Sequence, residues 1–339
     1  MITDEVMKAA VLLERMKNGE IKDFQKVLAQ LDRAVKQVWA GYTDWPGDLT
    51  ALKKKLRNAQ VKIWDEYLDT LWENLENLSV HETNVESGII TSQAEIVGAT
   101  VGLARPRGVW GKTLTRPITG TGDLLEPFVK NLSSAQIQRI ERQVMISWGM
   151  GRTMPETLRA IRGTKANGYK DGSWNGTLSD AKSVIRTSYQ HVSSVAFLES
   201  DLSAGLEEYQ LVATLDSRTS QLCRSLDLTH YPVGKGPVPP LHPNCRTRMV
   251  PYWGKDDDST ATRSSATGYV PQDESFYQWL SKQPASYQDE TMGKTMGQLF
   301  RNGGVKPEEF SKRVVQNLRP LNLGELRTKY PDMFKTANV

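Results

Sequence analysis

Two cysteines and one histidine have the residue types and the spacing that could support chemistry in this chain of 339 residues. A Gly- and Pro-rich stretch separates Cys223 from the sequence His242-Pro-Asn-Cys245. Thiolate sulfur and imidazole nitrogen are common zinc ligands, and a two-residue gap lets one turn direct His242 and Cys245 at the same ion. The pattern therefore predicts a zinc site with three recognisable ligands, one fewer than a structural zinc site usually has.

The sequence leaves the fourth ligand open, with His230, Asp216 and Asp227 as candidates. Without a metal, the two cysteines would be buried small residues, and His242 would hydrogen-bond to a loop carbonyl. A catalytic zinc with a bound water would need a general base, and none stands at a suitable spacing. Cys223 acting as a nucleophile with His242 is a weak alternative, because a Cys and a His in one chain are a common coincidence. We therefore expect a structural site and no enzymatic activity.

The residues around the cysteines are expected to specify the local fold. Asp216-Ser-Arg218-Thr has the composition of a turn in which Asp and Thr side chains bind nearby backbone N–H groups. An arginine there could bridge to the Asp-containing loop through paired hydrogen bonds. We expect such roles for Asp216, Arg218 and Arg246, and we expect Trp279 to anchor the C-terminal helices in a core.

The order of these elements resembles the phage Mu F-like minor head proteins, also called the phage head morphogenesis family. Residues 213–227 and 239–246 join a strand-like segment, a turn, a Gly/Pro loop and the His-x-x-Cys sequence in the family's order. A chance match is rarer for a long ordered motif than for a short one. Relatives commonly carry cysteine where this chain has Ser220 and Thr247, so the chain departs from the family pattern at the metal site itself.

A second part of the resemblance lies downstream, in residues 276–304. Family members often carry a Trp-Leu, Gln-Pro, Gln-Asp, Gly, Leu-Phe, Gly series there, and this chain matches it with Trp279 and Gly293 in place. Upstream, residues 148–156 and 186–188 are similar to the family's helical lead-in.

The resemblance implies a minor capsid protein of a tailed bacteriophage. Such a protein binds the portal inside the procapsid and assists head assembly, DNA packaging or ejection. The portal is then the main expected partner, and the major capsid or scaffolding protein, packaged DNA and a second copy of the chain are further candidates. The protein would lie in the interior of the head near the portal, after assembly in the host cytoplasm.

Two alternatives belong to other functional classes. Mu F-like domains can be fused to toxin or ADP-ribosyltransferase-like modules, but the family-like tail after residue 254 leaves little room for one, and no acidic catalytic motif is recognisable. A zinc-dependent DNA-binding module is the other alternative. Against it, Pro251 would interrupt a recognition helix after Cys245, and Asp256 to Asp258 would repel phosphate.

Charge and composition bear on the partners. The net charge of +4 is uneven, because residues 101–170 contain twelve basic and four acidic side chains. This segment could meet DNA phosphates or an acidic protein surface, or it could be a solvated helix face. The sequence lacks both the run of about 20 apolar residues of a membrane-spanning helix and the basic and apolar start of an export signal. The cysteines suit metal binding in a reducing cytoplasm better than a disulfide.

Hydrophobic periodicity predicts a mainly helical α+β fold. Apolar residues at three- and four-residue steps predict an N-terminal helical hairpin broken at 41–48. A helix capped by Ser133 or Ser134, a second from Thr153 and a third over 179–200 should form the base of a small β-containing domain with strands near 208–213 and 246–252. The predicted regions are a helical N-terminal part (1–103), a basic Gly/Pro loop or arm (104–132), a Mu F-like core (133–253), a polar linker (254–269) and a helical C-terminal part (270–339).

Overall fold

The N-terminal part is an antiparallel helical hairpin, as predicted. The structure, a computed structural model, describes residues 2–254 and 261–339. Helices α1 (Ile2–Ala40) and α2 (Leu49–Val97) pack along one another through apolar residues at helical spacing. Asp48 caps α2 by accepting a hydrogen bond from the backbone N–H of Thr50, and the chain leaves the helix at Gly98 with a φ of 70°.

Helices from the middle of the chain complete a bundle around this hairpin. In the longest of them, every residue from Thr187 to Leu198 is buried, so this helix lies inside the molecule and contacts neighbours on all sides. None of the helices in the described residues is long and apolar enough to cross a membrane. The added elements are α3 (Pro106–Thr115), α4 (Leu125–Gly149), α5 (Met154–Arg162), a 3-10 turn (Lys165–Asn167) and α6 (Ser173–Ala204).

The prediction of a basic loop or arm over 104–132 is wrong. Pro106 opens α3, where its fixed φ suits the first helical position, and Trp110 on the inner face of α3 packs against Trp72. Helix α4 already begins at Leu125, so Ser133 and Ser134 lie inside it and donate their hydroxyls to backbone carbonyls instead of capping. The Gly and basic residues of this stretch do not predict a helix, but a few buried side chains stabilise α3.

A small antiparallel sheet follows α6. Its strands are β1 (Glu208–Val212), β2 (His230–Pro232) and β3 (Arg248–Tyr252), in the order β2-β1-β3, with α7 (Gln221–Leu226) between β1 and β2. The alternating pattern of the first strand is confirmed, since Tyr209 and Leu211 point into the core. The last strand begins at Arg248, two residues later than predicted.

The predicted polar linker contains a β-hairpin. Strands β4 (Thr262–Ser265) and β5 (Gly268–Pro271) pair antiparallel, and the predicted acidic stretch Asp256 to Asp258 lies outside the described residues. The inward side chain of β4 is Arg263, which is buried against Asp227. The sequence of β4 contains no apolar residue, because its buried side chain is an arginine in an ion pair.

The C-terminal part is helical, as predicted, and Trp279 is buried in its core. Gly293 joins two of its helices with a φ of 83°, a conformation that favours glycine. The elements are α8 (Phe276–Ser281), α9 (Ala285–Met292), α10 (Lys294–Asn302), α11 (Pro307–Arg313), β6 (Val315–Gln316), β7 (Arg319–Pro320), α12 (Leu323–Lys329) and α13 (Pro331–Ala337).

Candidate metal centre

The three predicted ligands meet at one place in the structure. Cys223 lies in the first turn of α7, while His242 and Cys245 lie in the loop before β3. The Cys223 Sγ is 3.7 Å from the Cys245 Sγ and 3.2 Å from the His242 Nε2, and the three donor atoms all lie within 4.8 Å of one another. We call these residues the Cys-His-Cys group.

The spacing of the donor atoms fits a tetrahedral metal. Two sulfurs that are each about 2.3 Å from a zinc ion, at a tetrahedral angle, are about 3.8 Å apart. The observed 3.7 Å between the sulfurs matches this distance and is far longer than the disulfide bond of about 2.05 Å. Both cysteines are free and buried. The Cys-His-Cys group is therefore compatible with zinc in the identity of its donors and in their spacing.

Ser220 stands beside this group as a further oxygen donor. It caps α7 by accepting a hydrogen bond from the Cys223 backbone N–H, and its Oγ is 2.8 Å from the His242 Nε2. Thr247 lines the same small cavity. The two positions where Mu F-like proteins commonly carry cysteine, Ser220 and Thr247, thus lie at the site. The three-residue interval from Ser220 to Cys223 was the sequence signal for the first of them.

None of the three predicted candidates for the fourth ligand belongs to this group. Asp216 accepts two hydrogen bonds from Arg246, both 2.7 Å long. Asp227 is paired with Arg263, and exposed His230 lies on the sheet against the ring of Tyr252. The two carboxylates and the imidazole contact other side chains. The spacing of these residues along the chain could not reveal those contacts.

Hydrogen bonds within the Cys-His-Cys group set its charge. The hydrogen bond from Cys223 holds the pKa of the Cys245 thiol well below its usual value, and that of Cys223 is raised by the same contact. The hydrogen bond with Cys245 raises the pKa of His242, whose Nδ1 donates to the Pro243 carbonyl at 2.8 Å. The imidazole is thereby oriented with Nε2 towards the sulfurs, as an outer partner orients a histidine ligand.

Asp216 ties the turn after β1 to the loop that carries two of the ligands. Its carboxylate binds the guanidinium of Arg246 in a bidentate pair and accepts from the Arg218 backbone N–H at 3.0 Å. The Arg218 side chain itself is 77% exposed, and its nearest nitrogen is 3.5 Å from Asp216. The predicted turn is confirmed, and the paired bridge is made by Arg246 and not by the arginine within the turn.

Asp227 performs a similar role that sequence reasoning missed. Its buried carboxylate accepts hydrogen bonds from the backbone N–H groups of Ala213 and Phe276, each 2.7 Å long, and from the guanidinium of Arg263. One side chain therefore joins β1, the β4–β5 hairpin and the start of α8. No pattern in the sequence marks a single aspartate as such a junction.

The site has little open space. The cavity lined by Cys223, His242 and Ser220 measures about 10 Å³, at the lower limit of the roughly 10–15 Å³ that a single water molecule needs. The Cys-His-Cys group can hold an ion in such a space but cannot admit an organic substrate. Its geometry thus suits a cross-link between α7 and the loop before β3.

Comparison of the chain with protein-family models, with curated proteins and with solved structures finds no match. The resemblance to Mu F-like minor head proteins therefore rests on the motif residues in 213–227, 239–246 and 276–304.

Proposed function

We propose that this chain is a minor head protein of a tailed bacteriophage, which binds the portal inside the procapsid and assists head assembly, DNA packaging or ejection. The observation that supports this most is the packing of the motif residues. Residues from 213–227 and from 239–246 carry the resemblance, and in space they form one network through Asp216 with Arg246 and through the Cys-His-Cys group.

Contacts with the C-terminal helices extend that network to the second stretch of the resemblance. Asp227 accepts a hydrogen bond from the Phe276 backbone N–H at 2.7 Å. Arg224 donates to the Thr291 carbonyl at 2.6 Å. The segments that resemble the family therefore belong to one packed unit, as expected if the whole unit, and not an isolated short motif, is shared with the family.

The same proposal includes a structural zinc ion. Cys223, His242 and Cys245 would hold it, and the oxygen of Ser220 is the neighbouring group nearest to the histidine ligand. A bound ion would cross-link α7 to the loop before β3 and would keep both sulfurs as thiolates. Purified protein should contain about one zinc per chain by elemental mass spectrometry, and Cys245→Ser should lose it.

The test of the head-protein function is quantitative mass spectrometry of procapsids assembled with and without the portal. The expected result is retention of this chain at a few copies only when the portal is present, with the major capsid protein in the same digest as the reference for copy number. Absence from both kinds of particle would contradict the proposal. Equal amounts in both would show that retention does not depend on the portal.

A further inference from the structure

The C-terminal end of α4 exposes a cluster of large apolar side chains. Met145, Ile146, Trp148 and Met150 are 39%, 45%, 50% and 65% exposed, and we call these four residues the α4 tip. Among the tryptophans of the described residues, Trp148 is the only one that is exposed. Single exposed apolar residues are normal, but Met145 and Trp148 are three residues apart and therefore neighbours on the helix surface, and an exposed apolar ridge that includes a tryptophan is typical of a binding surface.

The α4 tip is held in place by its neighbours. Trp45, in the turn between α1 and α2, donates its indole N–H to the Arg152 carbonyl at 2.7 Å, just after the tip. The guanidinium of Arg57 on α2 makes two hydrogen bonds with the carboxylate of Glu141, one turn before Met145. A surface fixed at both ends loses little conformational entropy when a partner binds, so its apolar area is available for affinity.

Cations without partners surround the apolar residues. Arg142 is exposed one helical turn before Met145 on the same face, and it forms no ion pair within the described part of the chain. The pair between Arg57 on α2 and Glu141 on α4 fixes the two helices at this level. Lys53 lies one turn before Arg57 on α2, on the side towards Met145. Lys53 and the adjacent, exposed Lys54 likewise form no ion pair among the described residues. An acidic partner would therefore complement this surface.

We propose that the α4 tip binds an amphipathic helix with acidic flanks, carried by the protein that retains this chain in the head. This inference rests on the proposed function, under which that protein is the portal. The apolar face of the partner helix lies on Met145 and Trp148, and its carboxylates face Arg142 and Lys53. A second copy of this chain fits less well, because two tips would bring like charges together.

The experiment measures binding of the full-length chain to purified portal by biolayer interferometry. The test variant combines Met145→Ala with Trp148→Ala. The control combines Ile96→Ala with Leu103→Ala, which removes side chains that are 64% and 56% exposed near the other end of α2, roughly 65 Å away. Thermal melts of both variants should match the wild type, because all four side chains are exposed.

Loss of an exposed tryptophan at the centre of an interface should weaken binding by about thirtyfold or more, while the control should bind like the wild type. A charge-reversed variant, Arg142→Glu with Lys53→Glu, should bind more weakly at low salt and approach the wild type near 1 M salt. If the wild type binds the portal and the tip variant binds equally well, the α4 tip is not the interface, and the proposed function is unaffected. A tip variant that only abolishes self-association would assign the surface to a second copy. No binding by the wild type would overturn both proposals.

Discussion

The substitution Asp201→Asn tests a buried contact between α2 and α6. Asp201 on α6 and Glu86 on α2 are fully buried, and their four side-chain oxygens receive no hydrogen bond from a donor among the described residues. Burial raises the pKa of Asp201 to about 8, and burial together with the neighbouring Asp201 raises that of Glu86 well above its usual value. Both carboxyl groups therefore favour the protonated form in the folded protein.

The sign of the pH dependence follows from these raised pKa values. A carboxyl group whose pKa is higher in the folded state contributes fully to stability below its unfolded pKa, and this contribution is lost as the pH rises through its folded pKa. For Asp201 the loss extends from pH 3.8 to about pH 8 and amounts to about 6 kcal/mol, at about 1.4 kcal/mol per pH unit. Nearby Glu82 is paired with Arg248 and remains so in the variant.

A second buried group acts in the opposite direction. Burial lowers the pKa of His191 to about 4, so its contribution to stability is present above its ordinary pKa of 6.5 and is lost as the pH falls. The wild type and Asp201→Asn must therefore be compared with each other at the same pH, so that the effect of His191 cancels.

Urea unfolding from pH 5 to pH 9 is the assay. Relative to Asp201→Asn, the free energy of unfolding of the wild type should fall by about 3 to 5 kcal/mol between pH 5 and pH 8 and then level off. Glu290→Gln, which removes an exposed carboxylate without a described partner, is the control and should give a profile parallel to the wild type. A profile for Asp201→Asn that is parallel to that of the wild type would refute the raised pKa of Asp201.

Three further substitutions test the metal centre and its scaffold. Ser220→Cys adds a thiol beside the Cys-His-Cys group and should tighten zinc binding about tenfold or more in competition with a chromophoric chelator. Arg263→Ala leaves Asp227 buried without its cation and should lower the free energy of unfolding by about 3 to 5 kcal/mol in urea titrations. Gly120→Ala would place its Cβ 2.6 Å from the backbone nitrogen of the histidine ligand and should reduce zinc content, whereas Gly111→Ala, with no atom within 4 Å, should not.

The helical hairpin and the convergence of the three ligands could be predicted because each depends on local spacing. The apolar period of α1 and α2 survives in the structure because these helices bury one continuous face each. His242 and Cys245 come together because only two residues separate them. The Gly/Pro-rich stretch between Cys223 and His242, which is visible in the sequence, lets Cys223 reach the same place.

Elements held by long-range polar contacts escaped prediction. The β4–β5 hairpin is fixed by Arg263, whose partner Asp227 lies 36 residues earlier in the chain. Helix α3 depends on Trp110 meeting Trp72, a contact between distant segments that a Gly-rich basic stretch does not reveal. The candidates for a fourth ligand were wrong for the same reason, since Asp216 is occupied by an arginine 30 residues away.

The position of Asp227 has a consequence for how the protein can be divided experimentally. A fragment that ends at residue 254 would retain this carboxylate but would lose both Arg263 and the Phe276 backbone N–H, leaving a charge in the interior with one of its three donor groups, the Ala213 N–H. Residue 254 is therefore a poor site for truncation. The sheet and the C-terminal helices should unfold in one transition, and limited proteolysis should not release them as separate stable pieces.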